Sequence, residues 1–191
     1  MPRLGMEPIR RNALVKAAIA EVGESRSLDV TVGRIAGRAG MSTALAHHYF
    51  GSKDQMLVAA MRHILTLLRT ELRRALATAD SPSARVEAVV RASFAPSNFA
   101  PSTAAAWLHF YVQSRSSDAT RRLLRVYHRR LRSNLLAGFR PLVAEPEAAA
   151  DTTAALIDGL YLYRVLHPEA MSRDRALDLV LDTVARLTGD A

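Results

Sequence analysis

The chain has 191 residues, 49% of them apolar, with nine Gly and eight Pro, so it is long enough to bury a sizeable core and too apolar to stay disordered. Lysine and arginine outnumber aspartate and glutamate by 26 to 18, a formal charge of +8 that suits an anionic partner such as nucleic acid. The absence of cysteine excludes disulfides and cysteine-bearing zinc sites. No stretch approaches the ~18 apolar residues that would cross a bilayer, and the start MPRLGMEPIRR lacks a signal-type apolar run, so a soluble, cytoplasmic protein is expected.

Ala, Leu and Arg dominate and no β-branched alternation occurs, which predicts an all-α fold of about nine helices. Pro8 suits a first helical turn, and Leu14, Ala18 and Val22 recur at helical spacing before a stop at Gly23. Thr31 is placed to cap a second helix with Val32, Ile35, Ala36 and Ala39 on its apolar stripe, ended by Gly40. Ser42 caps a third, STALAHHYF, closed by Gly51. Ser52 then opens a fourth that runs to about residue 77, with Gln55 at the capping-box position. Ser81-Pro82 starts a fifth, and after the loop FAPSNFAPS, Ser102 or Thr103 begins a sixth containing AAAWLHFYV. The seventh is expected over 118–139, the eighth after Pro146 through TTAALIDGLYLYRVL to a stop near His167-Pro168, and the ninth over 172–187. The fourth helix is expected to join an N-terminal unit, 1–62, to a C-terminal unit, 63–191.

Two short helices joined by a glycine turn after a longer helix have the layout of a helix-turn-helix. The small Ala36 and Ala39 let the second helix cross the first closely. The third must present small or polar groups to a major groove about 12 Å wide; Thr43, Ala44, Leu45, His47 and His48 are available for that face, with Ser42 at its tip. Its free N–H groups, and Lys53 at the start of the next helix, suit phosphates.

The string VTVGRIAGRAGMSTALAHHYFGSKDQML resembles the DNA-binding signature of the TetR family, with its IA..AG, S, YF and K elements in order. The resemblance is strong over 8–62; beyond that it lies in helix number and length. It implies a dimeric, ligand-responsive repressor that reads a palindromic operator. By matched position Thr43 and His47 become base-edge readers, and Thr31, His48, Tyr49 and Lys53 phosphate contacts. Arg3, Arg10 and Arg11 are candidates for an N-terminal arm.

The start of the chain, STALAHHYF followed by Lys, and the later AWLHFY and ALIDGLYL resemble the choline-responsive members of that family. Those members usually carry valine, glycine and two isoleucines where this chain has Met41, Ala44, Leu45 and Ala46, and serine at His47, which bears on operator identity. The resemblance implies control of genes that convert choline to glycine betaine, and a ligand pocket within helices five to eight. Trp107, Phe110 and Tyr111 share one helical face, and Asp158 and Tyr161 stand three apart on the eighth helix, which would give a quaternary ammonium its rings and a carboxylate. Helices eight and nine are expected to pair between subunits, through Gly159 and the apolar Leu160, Val180, Val184 and Leu187.

Six arginines between 121 and 132 read as a solvated face of the seventh helix, offset by acids such as Glu145 and Glu147 and remote from DNA. Two other readings stand beside this one. The same fold could sense another small molecule, as an efflux regulator does, through an apolar pocket. A helical enzyme is the remoter alternative: the histidines at 47, 48, 63, 109, 128 and 167 form no HExxH, and no P-loop or GxSxG is present. No cofactor and no metal is expected.

Overall fold

The computed structural model describes residues 6–25 and 30–189. Among them the chain forms nine helices and no strand: α1 (Met6–Glu24), α2 (Val32–Arg38), α3 (Thr43–Phe50), α4 (Lys53–Leu76), α5 (Pro82–Ser93), α6 (Pro101–Gln113), α7 (Asp118–Phe139), α8 (Pro146–Leu166) and α9 (Arg173–Thr188). None is long and apolar enough to cross a membrane.

Most helix starts are set by one hydroxyl. Thr31, Ser42, Ser52, Ser81, Ser117 and Ser172 each accept from the backbone N–H three residues on, which satisfies a donor the first turn leaves free. The expected reciprocal bond of a capping box at α4 is replaced, because the Ser52 N–H donates to the Phe50 carbonyl at 2.8 Å. The helices α6 and α8 have no side-chain cap and begin on proline, whose missing N–H costs nothing there. The start of α6 is therefore Pro101 rather than Ser102 or Thr103. Gly40 and Gly51, at φ +66° and +72°, make the turns on either side of α3 that L side chains rarely adopt.

Helix α1 ends at Glu24, one residue past Gly23, as expected. The lack of a side chain at Gly23 also serves packing: a Cβ there would lie 2.3 Å from the Cα of Ser102. Thus α1 lies directly against α6, and this packing together with that of α4 on α5, α6 and α7 joins the N-terminal helices to the rest. One continuous core runs from Leu14, Ile35, Ala46 and Phe50 through Met61 and Phe94 to Ile157 and Val180.

Candidate nucleic-acid interface and aromatic site

The helix α3 buries Ala46 and Phe50 and leaves Ser42, Thr43, Ala44, His47 and His48 exposed, while Leu45, Tyr49 and Lys53 are half-buried. The hydroxyls of Thr31 and Thr43 lie near the same point of α2. A Cβ built on Gly33 would stand 4.0 Å from one and 3.6 Å from the other. The Thr31 hydroxyl accepts from the Arg34 N–H at 3.3 Å, and that of Ser42 from the Leu45 N–H at 3.2 Å. Each keeps its own O–H free to donate to an anionic oxygen. His47 Nδ1 is 3.1 Å from the Gly51 carbonyl. A carbonyl can only accept, so Nδ1 carries the hydrogen and the Nε2 of a neutral ring is an acceptor.

Arg10 and Arg11 are not part of an extended arm; both lie on α1 and hold the C-terminal end of α3. Arg10 donates to the Tyr49 hydroxyl at 3.4 Å, and Arg11 donates to the Tyr49 carbonyl. The Arg11 guanidinium also covers the Phe50 ring at 4.5 Å. Arg3, the third candidate for the arm, lies outside the described residues. A second clamp fixes α2 to α1. Glu21, only 4% exposed, pairs with Arg34 at 2.5 Å and Arg38 at 2.9 Å, and Arg38 reaches on to Glu24. Burial of a carboxylate is tolerated only with such partners. The sequence reading missed this set, although Glu21 falls on the stripe of Ala18 and Val22, where an acid is out of place.

In the C-terminal half, side chains from α6, α7 and α8 converge on Asp158. Its carboxylate accepts from the Tyr127 hydroxyl at 2.9 Å and lies 3.1 Å from His128 Nε2. The Trp107 ring stands 4.6 Å from Tyr127, 5.9 Å from Tyr111 and 6.1 Å from Tyr161, centroid to centroid. Tyr111 stacks on His128 at 6.3 Å. Tyr161 donates to the carbonyl of Ser93 and packs edge-on to Phe99 at 5.0 Å. Burial, and then the charge of Asp158, push the Tyr111, Tyr127 and Tyr161 hydroxyls up, so they remain neutral donors. The arrangement combines one carboxylate with several ring faces, the chemistry that holds a cation lacking N–H donors.

Of the five residues expected here, Trp107, Tyr111, Asp158 and Tyr161 come together. Phe110 shares their helical face and is as buried as Trp107, and among the described residues its ring meets Trp107 and His109 but not the Asp158 carboxylate's neighbours Tyr127 and His128. Tyr127 and His128 were missed. Tyr127 sits in the apolar stripe of α7, and only the fold brings it 31 residues along the chain to Asp158.

A hydrogen bond and a charge effect also relate this region to the N-terminal helices. Gln113 at the end of α6 donates to Asp54 of α4 at 3.3 Å. His109, 7% exposed, has its pKa lowered by burial and then by the charge of Lys53.

Residues 14–60 match the family described as bacterial regulatory proteins, tetR family, and residues 82–189 match the BetI-type transcriptional repressor C-terminal family. The chain belongs to the BetI-type transcriptional repressors. An HTH-type transcriptional regulator BetI from Brucella anthropi is 46% identical to it over 187 residues, 97% of this chain and 96% of that protein. The BetI of Rhizobium meliloti is 47% identical over 195 residues, covering all of this chain and 96% of the relative. In fold, it is similar to a transcriptional regulator from Saccharomonospora viridis solved in complex with choline, with a TM-score of 0.79, 20% identity, and 93% and 96% of the two chains covered. The repressor is thus a DNA-binding regulator of the TetR fold, and regulators of this family are not enzymes.

Several expected surface roles need correction. In the repressor Leu160, Val180 and Val184 are 6%, 0% and 8% exposed and complete the core of the single chain, because α8 packs on α6 and α7, α9 packs on α5, and the two pack on each other. The apolar surface of α8 and α9 is instead Leu162, Tyr163, Leu166, Leu179 and Leu187, beside Gly159, where a Cβ would meet nothing within 4 Å. On α7 the charge partners are Asp118, 2.8 Å from Arg121, and Asp151, 2.5 Å from Arg132, rather than Glu145; Glu147 acts on Arg132 only at longer range. Nor is the start of α7 remote from α3, since Ala119 lines a cleft with Tyr49 and Gln55.

Proposed function

We propose that this repressor binds a palindromic operator as a homodimer, senses choline, and controls genes of choline-to-betaine conversion in the cytoplasm. Within this reading the chain divides near residue 62 into a DNA-reading unit and a sensing unit. Thr43 and His47 read base edges, with Ser42 and Leu45 at the groove, and Thr31, His48, Tyr49 and Lys53 hold phosphates. The exposed apolar stripe of α8 and α9 forms the subunit contact, and its two-fold symmetry demands the palindrome.

The observation that carries the choline reading is the meeting of Trp107, Tyr111, Tyr127 and Tyr161 with the one carboxylate of Asp158. A quaternary ammonium cannot donate an N–H hydrogen bond, so ring faces and a nearby charge must hold it. Each cation–π contact contributes about 0.5–2 kcal/mol, more as water is excluded. Ligand binding on α6 would bias the packing of that helix on α1 and α4, through Ser102 on Gly23 and Gln113 on Asp54. A change there alters the spacing of reading helices if choline prefers one of the two arrangements.

Calorimetry on the purified protein is the test. Choline should bind, Trp107→Ala should lose it while remaining folded and on its operator, and the neutral isostere with carbon in place of nitrogen should bind far more weakly. Equal binding of that isostere would replace the choline sensor with a regulator of general apolar ligands.

A further inference from the structure

Helices α4, α5 and α7 line a groove of about 430 Å³ to which Tyr127 of the aromatic cluster also contributes. That is within the size range of small-molecule sites. Its floor is aliphatic, with Leu68, Leu72 and Leu76 of α4 facing Val89 of α5 and Leu131 of α7. Its rim is cationic: Arg69, Arg73 and Arg130 are exposed, and no acidic side chain lines the groove. Asn134, which also lines the groove, accepts from Arg85 at 3.5 Å. The aromatic cluster has the opposite character, with rings around a carboxylate. Tyr127 and Ser93 belong to both, so two sites of opposite charge preference adjoin.

We propose that this groove is a second ligand site, for an anionic amphiphile: an aliphatic chain lies along the α4 leucines and a carboxylate head is held at Arg69, Arg73 and Arg130. The chain supplies affinity by leaving water, and the guanidinium fork supplies head-group choice, because charge-assisted bonds to a carboxylate are stronger than neutral ones. A cation of equal length meets three like charges at the rim. The site is independent of the choline reading and survives its failure.

Titrate the full-length protein calorimetrically with dodecanoate, dodecanol and dodecyltrimethylammonium below their micelle-forming concentrations, and repeat with octanoate and decanoate. Dodecanoate should bind about tenfold or more tighter than the cation, as expected when a hydrogen bond to an ionised group is gained. Affinity should rise roughly threefold to fourfold for each methylene from octanoate upward until the groove is filled. The double variant Arg69→Glu/Arg73→Glu should lose the preference for carboxylate, whereas Trp107→Ala should retain it. Equal binding of all three head groups, unchanged selectivity in the double variant, or loss of dodecanoate in Trp107→Ala would overturn the assignment. So would a change of oligomeric state in the double variant without any amphiphile binding, which would give the surface to a second copy of the chain. Dodecanoate binding without choline binding would sustain this site and refute the choline reading alone.

Discussion

Gly23→Ala tests how the two halves of the repressor are joined. A methyl at this position would stand 2.3 Å from the Ser102 Cα and 3.1 Å from its carbonyl carbon, both backbone atoms that no rotamer change can move. Either α1 or α6 must shift, and overpacking of this kind costs about 1–3 kcal/mol, occasionally more. Against that, alanine is favoured over glycine within a helix by about 0.8–1 kcal/mol. The expected net effect is a loss of about 1–2 kcal/mol, or a fall in Tm of roughly 2–8 °C for a chain of this size. Urea unfolding followed by circular dichroism measures it, with variant and parent at one protein concentration because association shifts apparent stability. Gly37→Ala is the control. No atom lies within 4 Å of its Cβ position, so it should gain about 0.4–1 kcal/mol through the unfolded chain. If Gly23→Ala also gained stability, the close approach of α1 and α6 would be refuted, and Gly23 would be an ordinary helix position.

Three further outcomes are expected. Thr43→Ala should relax operator sequence preference by about 1–3 kcal/mol at the affected base, whereas Lys53→Ala should weaken all sequences and lower the salt slope by about one phosphate; footprints identical to the parent's in both variants would remove these roles. The double variant Arg34→Ala/Arg38→Ala leaves Glu21 buried without a cation, so its unfolding midpoint should fall, and adding Glu21→Gln should recover much of the loss; no recovery would mean that packing, not charge, holds α2 on α1. Burial, then Lys53 or Lys16, lowers the pKa of His109 and His63 below the unfolded value of about 6.5. The unfolded chain therefore binds protons first as pH falls, so these histidines take stability away below about pH 6.5 and leave it unchanged between there and the alkaline range in which the raised tyrosines act. His109→Gln should make the decline shallower, measured by urea titrations at a series of pH values; an unchanged slope would exclude His109.

The helices and the DNA-reading motif were legible in the chain because their signals are local. A cap such as Ser42 acts over three residues, a turn glycine such as Gly40 on its own backbone, and the stripe of Leu14, Ala18 and Val22 within one helix. That rings and an acid recur at helical spacing on α6 and α8 was legible for the same reason; that Trp107, Tyr111, Asp158 and Tyr161 meet in space was not. What the tertiary structure decided lies between distant segments. Gly23 looks like a helix end and no more until Ser102 is found against it, Tyr127 looks like core until its hydroxyl meets Asp158, and Val180 looks like interface until the fold of the single chain buries it completely. Periodicity states that a face is apolar; it does not state whether another helix of the same chain, a second subunit or a ligand covers it. That choice depends on which helices meet, and those contacts join residues tens of positions apart, beyond the reach of any local pattern.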